Sequence, residues 1–300
     1  MKSQKLKRPY SSLIKFLCLA FALGFSFGLR AQEFPAFLRS NYIAKPLVTT
    51  KSNDFGLAPM TREYIVFCSN GRKGISRLIR EDKIDLFLYN LKTNEVSAFD
   101  KTGLCDLESV KYNIGSVSFS GDLKTMFISR NRFEKNFEGV LPFELLQVDI
   151  NEASSECSLL PFINPDFSYQ QPFFDTRQNV LFYVSNEPGG KGGYDIYYCV
   201  RKGTHLWSEP QNLDVVNSPG DELFPSVDSY GNIYFSRYIE GRGLEIFCLV
   251  KGSNVPQALP GPFNTEGDDF NFIVVDTKNI LLSRVLRKNK SSDIILYSIQ

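Results

Sequence analysis

One histidine, one tryptophan and no Cys-x-x-Cys pair occur in this 300-residue sequence. The lone His205 excludes a histidine-rich metal centre, and the missing cysteine spacing excludes a zinc ribbon. No metal and no cofactor are expected. Long runs of apolar residues at helical spacing are also missing, which argues against a helical bundle or an α/β fold. The first 31 residues contain no acid. Without them, 28 basic face 33 acidic residues, a net of −5. A nucleic-acid binder needs a basic surplus to offset phosphate, so no nucleic-acid partner is expected.

That acid-free start has a recognisable layout. Lys2, Lys5, Lys7, Arg8 and Lys15 lead into an apolar run from Phe16 to Leu29, and the small Ala31 precedes Gln32. A basic region, a short apolar core and a small residue at the cut describe a secretory signal peptide. Residues 1–31 are therefore read as removed on export, with no transmembrane segment in the mature chain. Of the remaining cysteines, Cys68, Cys199 and Cys248 sit in apolar runs and read as small buried hydrophobes. Cys105 and Cys157 fall near equivalent points of neighbouring repeats, and the sequence leaves their disulfide state open.

What the sequence has in plenty is Phe and Tyr, 26 and 14 of them, which suit pleated, half-buried strands. They recur in order. An apolar triplet ending in Ser, then Asn or Arg, appears at Ser69, Ser129, Ser185, Ser236 and Ser283, which are 60, 56, 51 and 47 residues apart. Each is followed by an acid leading another strand: Asp85, Glu144, Asp195, Glu245 and Asp293. An acidic turn precedes it, clearest in Asn217-Ser218-Pro219-Gly220-Asp221-Glu222 and Asn264-Thr265-Glu266-Gly267-Asp268-Asp269. The period is that of a four-stranded propeller blade. The expected fold is all-β: a five-bladed β-propeller of four-stranded antiparallel blades over residues 42–300. The last repeat stops at its third strand, so segment 44–48 is expected to pair with 293–299 and close the ring. Arg237 is expected beside Glu245, and Arg284 beside Asp293, as exposed pairs contributing about 0–1 kcal/mol each.

The stretch Ser185-Asn186-Glu187-Pro188-Gly189-Gly190-Lys191-Gly192-Gly193-Tyr194-Asp195-Ile196-Tyr197, with Trp207-Ser208-Glu209-Pro210 and Asn217 to Glu222 after it, resembles the WD40-like propeller repeats of the TolB type. More narrowly, it is similar to exported versions found beside OmpA-like modules in envelope and type IX secretion proteins. The resemblance spans most of residues 50–300. It departs in the longer loops of the first two blades and in the lack of a following OmpA-like module. It implies a periplasmic or envelope-associated scaffold with an envelope protein or glycan as partner.

Two functional readings follow. Asp54, Asp221, Glu222, Asp268 and Asp269 open the innermost strands, where a propeller glycosidase would hold its acid and base. An inverting pair stands roughly 6.5–9.5 Å apart. Yet the acids sit at repeat-equivalent places, which fits turn caps better than a single active site. Five serines and one loop histidine make no triad, so no catalytic residue is assigned. The preferred reading is a non-catalytic binding or scaffold module. The long loops Gly71–Lys83 and Asn131–Pro142 emerge on the face of the acidic turns. Candidate binding residues are therefore Arg72, Lys73, Arg77, Arg132, Phe133 and Phe137, with Asp221, Glu222, Asp268 and Asp269.

Overall fold

The computed structural model describes residues 33–70, 83–104, 107, 112–150, 155–285 and 291–300. The first strand, β1 (Tyr42–Val48), stands apart in sequence from the sheet it joins. Blade one is β2 (Asn53–Pro59), β3 (Tyr64–Asn70), β4 (Ile84–Asn90) and β5 (Val96–Ala98). Blade two is β6 (Ile114–Phe119), β7 (Thr125–Asn131), β8 (Phe143–Ile150) and β9 (Ser155–Leu159). Blade three is β10 (Tyr169–Asp175), β11 (Val180–Ser185), β12 (Asp195–Val200) and β13 (Gln211–Asn212). Blade four is β14 (Glu222–Val227), β15 (Ile233–Ile239), β16 (Gly243–Leu249) and β17 (Gln257–Ala258). Blade five is β18 (Asp268–Val274), β19 (Asn279–Val285) and β20 (Ser292–Ile299), with β1 as its outermost strand. The chain is a five-bladed β-propeller.

Second strands are apolar on both faces because both faces are covered. β3 and β19 have five consecutive buried residues each. Outer strands such as β1 and β9 are mostly exposed. Five apolar clusters fill the five blade-to-blade interfaces. Val66, Cys68, Met126 and Ile128 join blades one and two, while Phe127 and Leu145 meet Tyr169 and Tyr183 between blades two and three. Phe182 and Val184 meet Phe235, and Tyr234 and Ile246 meet Phe272 and Leu282. Phe67 and Leu57 meet Ile273 and Leu281, which brings the last blade back to the first.

Closure works as the repeat predicts. β1 runs antiparallel to β20, with Ala44 opposite Tyr297 and Pro46 opposite Ile295. A proline is tolerated there because an edge strand leaves one row of N–H groups without a ladder partner. The preceding 3-10 turn, Ala36–Arg39, drops Leu38 into the cluster between blades four and five.

Polar clasps add to the apolar seams. The Asn217 amide accepts from Ile196 N at 2.9 Å and donates to Ile196 O at 2.8 Å, tying the turn before blade four to the third strand of blade three. Asn264 does the same to Ile246 at 2.7 and 2.9 Å, one blade later. A buried backbone group left unpaired is costly, so each amide satisfies a donor and an acceptor at once.

One expectation is corrected. Arg237 does lie opposite Glu245, and Arg284 opposite Asp293. Their ion pairs, however, form across the other flanking strand: Arg237 Nε to Glu222 Oε1 at 2.7 Å, and Arg284 to Asp269. Glu245 is already held by Arg242 at 2.5 Å. All four acids are buried, so burial alone does not select the partner: Glu222 and Asp269, the two with no exposure at all, take the arginines, while Asp293 keeps one oxygen without a hydrogen bond. Cys157 is disulfide-bonded. Cys68, Cys199 and Cys248 are buried free thiols. Burial pushes the Cys199 and Cys248 thiols up to about 12, so neither is a ready nucleophile.

Candidate functional site

Strand register fixes which groups share a face. Glu222 stands opposite Arg237, and Asp269 opposite Arg284, so the start of each first strand lies beside the end of the second. The acidic turns and the loops between second and third strands therefore emerge together. Arg72, Lys73 and Arg77 lie outside the described residues. The remaining candidates divide into two groups.

The acids are consumed by the architecture. Asp221 Oδ1 accepts from Tyr194 N at 2.9 Å, and Asp268 Oδ1 accepts from Leu244 N at 2.9 Å, each reaching the preceding blade. Ser218 caps Glu222 from its backbone N at 2.9 Å and from its hydroxyl, and Thr265 caps Asp269 in the same way at 2.6 and 2.8 Å. Thr50 Oγ1 repeats the contact to Asp54 at 2.8 Å. Burial pushes the Glu222 and Asp269 carboxyls up, partly offset by these donors and by their arginines.

The blade-two loop, residues 132–142, is different. Arg132 N donates to Pro142 O at 2.8 Å and closes its base. Its tip is wound around Asn136, whose Oδ1 accepts from Glu138 N and Val140 N at 3.0 Å each. Asn136 Nδ2 also donates to Asp166 O at 3.1 Å, which moors the loop to the turn before blade three. This internal bonding holds apolar side chains out in water. Phe137 is 75% exposed, Val140 54% and Leu141 41%. Phe133 stacks on Tyr112 with ring centroids 4.3 Å apart, and the Arg130 guanidinium lies 4.2 Å from the same ring. Arg132 is drawn to Glu144 at 3.8 Å, sharing it with Arg130 at 3.0 Å. Among the described residues of this loop, Phe133, Phe137, Val140 and Leu141 form an exposed apolar ridge. Val140 and Leu141 escaped the sequence reading because an apolar pair in a loop looks like the start of the next strand.

Two concave sites among the described residues bear on chemistry. A polar groove of about 580 Å³ between blades two and three contains His205, Asp149 and Arg201. His205 Nε2 lies 3.3 Å from Asp149 Oδ2, and its Nδ1 lies 3.4 Å from Ser158 Oγ. Sequence distance hid this Ser-His-Asp proximity. Gln147 Nε2 competes for the same ring nitrogen at 3.4 Å and also bonds both Asp149 oxygens, at 3.0 and 2.9 Å. With the histidine tied to blade two on both ring nitrogens, the arrangement is a latch holding the turn of residues 201–207 against it. The second site is a cavity of about 200 Å³ on the axis, lined by the first strands of all five blades. None of the turn acids lines it. Among the described residues no group of three His, Cys, Asp or Glu could hold a metal ion, and no helix is long and apolar enough to cross a membrane.

No family model and no curated protein matches the sequence. Solved structures do. TolB from Acinetobacter baumannii is similar at 14% identity over 85% of this chain and 56% of that one, with a TM-score of 0.45. A prolyl endopeptidase is similar at 14% identity over 80% of this chain and 32% of that one, TM-score 0.43. The soluble aldose sugar dehydrogenase of Escherichia coli is similar at 8% identity over 87% and 100%, TM-score 0.47. The chain spans about half the length of that TolB and about a third of the endopeptidase. At such identities, blade count and strand order rest on the register above.

Proposed function

We propose that this chain is an exported, non-catalytic propeller that binds a protein partner in the cell envelope through the Phe133–Leu141 ridge. One observation carries the reading: a loop moored at both ends displays Phe137, Val140 and Leu141 to solvent. Aromatic anchors held rigidly in the free protein lose little entropy on binding, which is where interface energy concentrates. The opposing enzyme reading needs carboxylates facing an open site. Here Glu222 and Asp269 are buried against arginines, and Asp221 and Asp268 accept bonds from neighbouring blades. Export is supported by the basic-apolar-small layout of residues 1–31 and by the disulfide at Cys157, since disulfides persist in oxidising compartments.

Envelope extract passed over immobilised residues 33–300 tests the reading. Retention of a defined partner by wild type, and its loss in Phe137→Ser at unchanged melting temperature, are expected. Sugar released from a glycan panel by the pure protein would overturn the non-catalytic assignment.

A further inference from the structure

We propose that the axial cavity is a second binding site, which takes a small, neutral, mainly apolar molecule carrying a carbonyl oxygen. At about 200 Å³ it exceeds the roughly 150 Å³ apolar cavity that suffices for benzene, so one ring with a short substituent fits. Phe119, Phe173 and Phe224 are among its lining residues, and no charged side chain lines it. A carboxylate or ammonium entering there would lose its hydration with no counter-ion, which selects a neutral ligand.

The polar groups of the wall set the rest of the specificity. Each first strand presents its free edge to the axis, and side chains of neighbouring blades satisfy it. Phe224 N donates to Gln171 Oε1 at 2.7 Å, and Leu57 N donates to Asn271 Oδ1 at 2.5 Å. A backbone N–H must meet the amide oxygen, so each amide turns its NH2 end away from that bond. The bonds formed by these two amide side chains among the described residues go to their oxygens, and neither NH2 group is sealed away from the cavity. Both side chains line the cavity. At the equivalent bulge position, blade one has Gly56 and blade four has Phe224, so the two amides break the repeat. Architecture requires their oxygens. It does not require their NH2 groups, which are left to donate to an acceptor oxygen in the cavity.

Acetophenone and isopropylbenzene test this, because they share a skeleton and differ in the carbonyl. Titration is followed by the side-chain amide NMR signals of Gln171 and Asn271 and by calorimetry. Acetophenone should bind saturably, shift both amide signals and bind about tenfold tighter than isopropylbenzene. Val227→Phe, which fills the cavity, should abolish binding. Val275→Trp at the exposed rim is the second blocking variant should the first not fold. Equal affinity for the two compounds overturns the assigned ligand class. No saturable binding of either, or binding undiminished in a folded blocking variant, overturns the site.

Discussion

At the scale of single residues, the strongest commitments are buried charges. Glu222 with Arg237, and Asp269 with Arg284, sit inside the blades. Breaking such a pair from one side strands a charge and costs about 3–5 kcal/mol, whereas replacing both partners by apolar residues is often nearly neutral. Arg237→Met should therefore lower stability by that amount in urea unfolding, and Arg237→Met with Glu222→Leu should recover most of it. Glu187 shows the opposite case. Burial pushes its carboxyl up, and the Tyr169 hydroxyl, which donates to Oε2 at 2.9 Å, together with the nearby Tyr183 hydroxyl pulls it only partly back, while Oε1 has no formed hydrogen bond. A raised carboxyl pKa means the folded state holds its proton longer, so this contribution is full below about pH 4 and is lost as pH rises through the folded value. Glu187→Gln should accordingly raise the melting temperature by a few degrees at pH 8, with the difference shrinking towards zero at pH 4. A constant difference across that range would rule out the charge as its cause. The sequence showed which residues are charged, but not which side an arginine in a middle strand would turn to. Glu222 and Glu245 are both buried, and what separates them is tertiary: Glu245 already has Arg242 as its partner.

At the scale of elements, the repeated serine and the acid after it fixed the second and third strands to within a residue or two. Alternation and turn chemistry carry that information locally. The bulges of the first strands were not legible. Gly56 is an ordinary left-handed glycine, but Gln171, Phe224 and Asn271 take φ of 53°, 51° and 54° at the equivalent position. A bulky residue in that region is unfavourable, and cross-blade bonds at the axis brace it there. The blade-two loop was legible in composition but not in order. Its rigidity comes from Asn136, a residue that an unpaired loop would also contain. Asn136→Ala removes two bonds to the tip and one to Asp166. Amide hydrogen exchange at Val140 should quicken at least tenfold in that variant, while exchange in β7 and β8 stays as in wild type.

At the scale of the molecule, a ring of five interfaces has no free end. β1 covers β20, and Leu38 and Val48 pack into the clusters on either side of blade five. Removing residues 33–48 should therefore cost most of the ~5–15 kcal/mol that such a domain possesses and leave β20 open to edge association. Calorimetry should show loss of the cooperative transition rather than a small shift. This closure was readable from the sequence, because the last repeat lacked a strand and the N-terminus supplied one. The separation of scaffold from contact surface was not, since acids and loop residues share one face and differ only in burial. One co-purification from envelope extract tests that separation directly, comparing wild type with Phe137→Ser and with Asp268→Ala. Phe137→Ser should lose the partner at an unchanged melting temperature, whereas Asp268→Ala should melt lower yet retain the partner in the cold. Loss of the partner in Asp268→Ala, with full retention in Phe137→Ser, would contradict that separation.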